Sequence, residues 1–117
     1  MQVSGMLRFV AYGLVCAAIL YVCLAPTEAL PTVNVWDKAE HAVTWGALAG
    51  LGFLFWPRRT AAVAVFALAF GAAIELLQGT MGLGRSADGF DLLADAVGVL
   101  GALGVFALLR RSRRGRA

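Results

Sequence analysis

Charge is scarce in this chain. Only 15% of its 117 residues are Asp, Glu, Lys or Arg. They fall into short clusters between apolar runs instead of alternating with them, which excludes the amphipathic surface helices of a soluble fold. Cysteine is limited to Cys16 and Cys23. A heptad apart in one apolar run, the two share a helix face and cannot bond to each other, so they carry no redox signal and read as packing residues. Histidine occurs once, at His41. There is no HExxH pair, no serine nucleophile elbow and no phosphate-cradling glycine loop, so no reaction is specified by motif. Low-complexity segments and clear internal repeats are missing too, and so short a chain leaves little room for an inverted-repeat transporter core.

What the sequence has in abundance is apolar surface. It is 61% hydrophobic, with a mean hydropathy of +0.80. That exceeds what a soluble core of this size can bury, and the excess must face lipid. Four apolar runs stand out, at about 7–25, 39–56, 60–77 and 90–109, each suited to one bilayer crossing of roughly 20 residues. Pro26 closes the first. Trp36 leads into the second, and Trp56 with Pro57, Arg58 and Arg59 ends it, both tryptophans standing where interfacial belts belong. A cleaved signal peptide is the competing reading of the first run. The run is long for such a segment, and the cysteines lack the small residue a lipoprotein site needs before them, so retention is favoured. The expected fold is an all-α membrane protein: a four-helix transmembrane domain over 1–109, then a basic cytoplasmic tail over 110–117.

Orientation follows from Lys and Arg, which are retained on the cytoplasmic side. With four crossings, Arg8, Arg58, Arg59 and tail residues Arg110, Arg111, Arg113, Arg114 and Arg116 share one face, leaving Lys38 and Arg85 on the other. Both termini are then expected to be cytoplasmic. The tail serves as a topology anchor against anionic lipid, and without an aromatic platform it gives no reason to invoke nucleic acid.

The carboxylates Glu28, Asp37, Glu40, Glu75, Asp88, Asp91 and Asp95 all fall at or near the outer face, together with His41. Asp37 and His41 lie one turn apart. Asp88, Asp91 and Asp95 follow at intervals of three and four, so each set lines one helical stripe. Glu75 and Gln78 add a third pair at the outer end of the third helix. Asp95 lies about 8 Å inside its helix at 1.5 Å per residue. An ionised group in hydrocarbon costs on the order of 3 kcal/mol, so these residues are expected to point inward and find partners, Lys38, His41 and Arg85 being available. The bland reading is an ion-pair cluster that fixes helix register. The sharper one is a ligand pocket built from Asp37, Lys38, His41, Glu75, Gln78, Arg85, Asp91 and Asp95.

These residues resemble the motif set of VanZ-like membrane proteins. Asp37, Lys38 and His41 resemble the family's Asp-Lys-x-x-His entry to a helix, and Glu75 with Gln78 its Glu-x-x-Gln. Arg85, followed by Asp91, Ala94 and Gly98, resembles the Arg, Asp-x-x-Ala-Asn and Gly segment that closes the pattern. The resemblance covers roughly 36–104. It departs at Asp95, where the family usually carries Asn, which adds a potential negative charge. The resemblance implies a multi-pass protein of the bacterial cytoplasmic (inner) membrane with an envelope role, since the family is named for low-level resistance to the glycopeptide teicoplanin.

Three function classes follow. A non-enzymatic envelope factor would bind a glycopeptide or the headgroup of a lipid-linked precursor, Lys38 and Arg85 meeting phosphate or carboxylate. A membrane-embedded enzyme would use His41, oriented by Asp37, with Glu75 or Asp91 as partner. A proton conductor would need ionisable groups through the inner halves of the helices, and 96–109 and 61–74 have none. The first is favoured. A carboxylate-rich site with one His could also hold an oxygen-preferring divalent ion such as Mg²⁺, Ca²⁺ or Mn²⁺, whereas Zn²⁺ wants more nitrogen or sulfur. A lone His is more often a hydrogen-bonding residue than a ligand, so no cofactor or metal is expected. Gly46-x-x-x-Gly50 and the series Ala94, Gly98 and Ala102 read as seams for close helix approach. They are most simply intramolecular, though a homodimer through one seam is compatible with the sequence.

Overall fold

The computed structural model of the protein describes residues 4–24, 35–80 and 89–115, with the side chains of 35–37 excluded. The described chain forms four helices: α1 (Gly5–Leu24), α2 (Val35–Phe55), α3 (Thr60–Thr80) and α4 (Gly89–Gly115). Three of them, α1, α3 and α4, are long and apolar enough to cross a membrane. At 21 residues α2 equals α3 in length but carries Asp37, Lys38 and Glu40 in its first turns. At 1.5 Å per residue each is about 31 Å long, the thickness of a bilayer's hydrocarbon core.

The helices begin and end for local reasons. Ser4 caps α1, its Oγ accepting from the Leu7 amide at 3.1 Å. The α2–α3 turn follows Phe55 at once, because Pro57 lacks the amide that would continue α2; the Arg59 amide bonds back to the Trp56 carbonyl at 2.9 Å instead. Each helix extends past its expected apolar run at one end or both, α2 and α4 the furthest. α2 starts at Val35, before the expected 39, and in its first turn Lys38 reaches Asp91 of α4. α4 continues to Gly115, so most of the basic tail is helical, and Arg110 Nη1 donates to the Pro57 carbonyl at 3.0 Å.

Side-chain hydrogen bonds fix the relative directions of the helices. Arg8 Nη1 donates to the Phe55 carbonyl at 2.6 Å, and Arg110 reaches Pro57. The start of α1, the α2–α3 turn and the end of α4 therefore share one end of the molecule, the arginine end. At the other, Gln78 Nε2 donates to the Cys23 carbonyl at 2.8 Å, tying the end of α3 to the end of α1, and Lys38 of α2 contacts Asp91 of α4. Successive helices run antiparallel.

The surface is apolar and much of the interior is not. α1 buries only Tyr12. Leu14, Val65 and Leu100 are each more than 60% exposed, whereas His41, Glu75, Gln78, Asp91 and Asp95 are buried, Asp95 to 1%. Such an inverted distribution suits a lipid solvent and no aqueous one. The apolar core is Trp45, Leu48, Phe53, Ile74 and Val99, with Tyr12 donating across to the Leu48 carbonyl at 2.9 Å.

α2 and α4 form the most intimate pair. A Cβ on Gly98 would lie 2.1 Å from the Ala42 carbonyl oxygen, and one on Gly46 3.3 Å from the Gly98 carbonyl oxygen. Only hydrogen fits between these backbones, the small-residue packing that replaces a hydrophobic driving force in lipid. The expected glycine seam is half used. Gly46 makes this approach, while Gly50 has no neighbour within 4 Å of where its Cβ would stand.

Candidate functional site

At the end opposite the arginines, the close α2–α4 approach brings two charged stripes face to face. Lys38 and His41 lie one turn apart on α2, and Asp91 and Asp95 one turn apart on α4. Lys38 Nζ donates to Asp91 Oδ1. His41 Nδ1 stands 2.7 Å from Asp95 Oδ1. With Asp95 ionised its carboxylate only accepts, which puts a ring proton on Nδ1; the Nε2 edge turns to Asp91, whose Oδ2 is 3.7 Å away. That separation is longer than a hydrogen bond.

α3 supplies the third wall. A carboxylate oxygen of Glu75, a ring nitrogen of His41 and a carboxylate oxygen of Asp91 all lie within 4.8 Å of one another, on three buried residues. Gly71, one turn before Glu75, lets α3 close on the site: a Cβ there would fall 2.6 Å from Asp95 Oδ2 and 3.1 Å from Trp45 Nε1. The absence of a side chain at residue 71 is thus a condition for the Asp95 carboxylate to sit between three helices.

An aromatic stack holds the imidazole from below. His41 lies over Trp45 at 5.6 Å with 15° between the rings; Trp45 stacks on Phe70 at 6.0 Å, and Phe70 on Phe66 at 5.8 Å. Trp45 Nε1 donates to the Ala67 carbonyl at 2.8 Å, which locks the indole and with it the floor under His41. Sequence reasoning passed over Trp45. Its position four residues after His41 continues the His41 stripe, and that spacing is the signal that marks it.

Of the eight residues expected in a pocket, the structure gathers Lys38, His41, Glu75, Asp91 and Asp95. Gln78, buried one turn after Glu75 on α3, donates its Nε2 to the Cys23 carbonyl at the α1–α3 contact. Arg85 lies outside the described residues, as do Asp88, Glu28 and the Asp37 side chain. Asp37, the orienting partner the sequence points to, has its side chain outside the described residues; at Nδ1 stands Asp95, from another helix.

Chemically, the cluster is a low-dielectric site in which one imidazole, held at Nδ1 by Asp95, stands beside carboxylates from two other helices. Such a site can hold a cation, accept hydrogen bonds from hydroxyls or ammonium groups, or move a proton. An apolar groove of about 380 Å³ at the opposite end, between α1 and α3, is lined by Tyr12, Cys16, Trp56 and Phe66 and offers none of this. Compared with known proteins, the chain matches no family model, no curated protein and no solved structure.

Proposed function

We propose that the chain is a multi-pass protein of the bacterial cytoplasmic membrane, of VanZ-like type, that crosses four times with both termini inside and binds the polar headgroup of an envelope molecule near the outer face. The headgroup belongs to a lipid-linked wall precursor or a glycopeptide, and the protein acts on it by binding, without turnover. The observation that carries this reading is the convergence of buried His41, Glu75, Asp91 and Asp95 with half-buried Lys38, drawn from three helices, at the end of the molecule opposite Arg8 and Arg110. Positive residues mark the cytoplasmic end, so the polar site belongs to the outer leaflet. Intramembrane ionisable groups are costly, and their concentration at one depth is more than helix register requires. The resemblance to VanZ-like proteins supports the envelope role.

Native mass spectrometry of the protein released from its own membranes tests the reading. Wild-type protein is expected to carry a headgroup-bearing lipid or glycan adduct that His41→Ala and Arg85→Ala lose at equal expression and helicity. An adduct-free wild type, or an adduct indifferent to both variants, overturns it.

The His41–Asp95 pair supports a second reading, a membrane-embedded enzyme in which His41 is the general base. In that case the bound molecule changes chemically between variants, a precursor accumulating on His41→Ala and its product on the wild type. Under the binding reading the mass is the same wherever an adduct survives.

A further inference from the structure

The structure assigns a divalent-cation site to His41, Glu75 and Asp91, with Asp95 as the residue that orients the histidine. The inference rests on the reading of this cluster as a binding site, and it names a ligand for it.

Three observations on the site carry it. The first is the donor set: one imidazole nitrogen and two carboxylate oxygens, on buried side chains from α2, α3 and α4, mutually within 4.8 Å. Mixed nitrogen and oxygen donors of this kind suit a first-row divalent ion such as Mn²⁺ or Zn²⁺ better than Ca²⁺, which takes six to eight oxygens.

The second is the spacing between His41 Nε2 and Asp91 Oδ2, 3.7 Å. Two ligands each about 2.1 Å from one ion, at tetrahedral to trigonal angles, stand about 3.4–3.6 Å apart. The pair stands close to the spacing of two ligands of a common centre, and a Glu75 carboxylate oxygen within 4.8 Å of a donor atom on each completes the set.

The third is the support behind the histidine. Asp95 Oδ1 takes Nδ1 at 2.7 Å, the carboxylate–histidine arrangement that fixes the metal-binding tautomer and raises the basicity of Nε2. The Trp45 stack fixes the ring plane. Lys38, on the far oxygen of Asp91, leaves Oδ2 turned toward the imidazole. In sequence a lone histidine argues against a metal; the geometry changes that weight, because Glu75 arrives from a third helix and Asp95 supplies the outer partner. A cation here would also give a carboxylate-rich site the positive charge that a phosphate-bearing headgroup needs.

The test is a Mn²⁺ titration of the full-length protein in detergent after EDTA stripping, followed by loss of the free-ion electron paramagnetic resonance signal, with Zn²⁺ as competitor. One Mn²⁺ per chain, displaced by Zn²⁺, is expected. Glu75→Gln and His41→Ala should weaken binding more than tenfold, and Asp95→Asn about tenfold, the usual effect of an outer-shell change. Glu40→Gln, on the exposed face of the same helix, should bind as the wild type does. Glu75→Gln is isosteric, and far-ultraviolet circular dichroism checks that each variant is folded. No saturable uptake of Mn²⁺ or Zn²⁺ by folded wild type, or uptake unchanged in Glu75→Gln, overturns the site. A headgroup adduct that survives EDTA on protein that takes up no ion overturns the cation while leaving the headgroup reading intact. Ion uptake without any adduct supports the cation site and removes the headgroup.

Discussion

The imidazole of His41 and the carboxylate of Asp95 meet at 2.7 Å across the closest helix contact in the molecule, one 8% exposed and the other 1%. Each is the other's means of being buried. Asparagine keeps an oxygen that accepts from Nδ1, so Asp95→Asn is expected to cost no more than about 1 kcal/mol, the scale of a neutral hydrogen bond. Asp95→Leu leaves a buried imidazole donor without its acceptor and should cost about 3 kcal/mol, in the range for breaking one side of a buried pair. Thermal unfolding in detergent, followed by tryptophan fluorescence, separates the two variants. Equal melting temperatures would show that the pair does not hold the helices together.

The α2–α4 approach is set by backbone contact and tolerates no added carbon. Gly98→Ala would force its Cβ to 2.1 Å from the Ala42 carbonyl oxygen and is expected to cost about 1–3 kcal/mol by overpacking. Gly101→Ala, one turn on with nothing within 4 Å, should be neutral or stabilising by up to about 1 kcal/mol through helix propensity. Melting curves of the two variants are the check, and a Gly98→Ala protein as stable as Gly101→Ala would contradict the crossing.

Gly71 has a more local part. Gly71→Ala directs a methyl group at Asp95 Oδ2, 2.6 Å away, and at the Trp45 indole. Helical content should be unchanged, while the fluorescence of Trp45 shifts as the stack under His41 moves. A tryptophan spectrum identical to wild type would mean that α3 does not close on the site.

Lys38 and Asp91 are coupled, and a double-mutant cycle measures how strongly. Lys38→Met leaves Asp91 in the interior without its ammonium partner. The Lys38→Met/Asp91→Leu double variant removes both charges and should recover part of that loss, with a coupling of about 1 kcal/mol or more. Simple additivity of the two single changes would show that the pair has no energetic role.

Topology separates four crossings from three. With α2 spanning, alkaline phosphatase fused after residue 32 or 84 should be active, and green fluorescent protein fused after residue 58 or 117 should fluoresce. If α2 does not span, reporters after 32 and 58 give the same answer, and the polar cluster loses its assignment to the outer leaflet.

Much of this architecture is local and therefore legible in sequence. The length of each apolar run, the proline after Trp56 and the arginine clusters specify helices and their breaks, because hydropathy and backbone chemistry act within a segment. Stripe membership is local as well: the spacings of three and four along α2 and α4 mark His41, Asp91 and Asp95 as inward-facing. Which residue meets which is not local. His41 meets Asp95, Gln78 reaches the Cys23 carbonyl, and Trp45 becomes the floor of the site. These choices depend on the rotation and relative height of helices joined by loops of the chain, and those are set where Gly98 lies against Ala42 and Gly46, and Gly71 against Asp95. Periodicity describes one helix at a time; the absence of a side chain at three glycines decides how the helices meet.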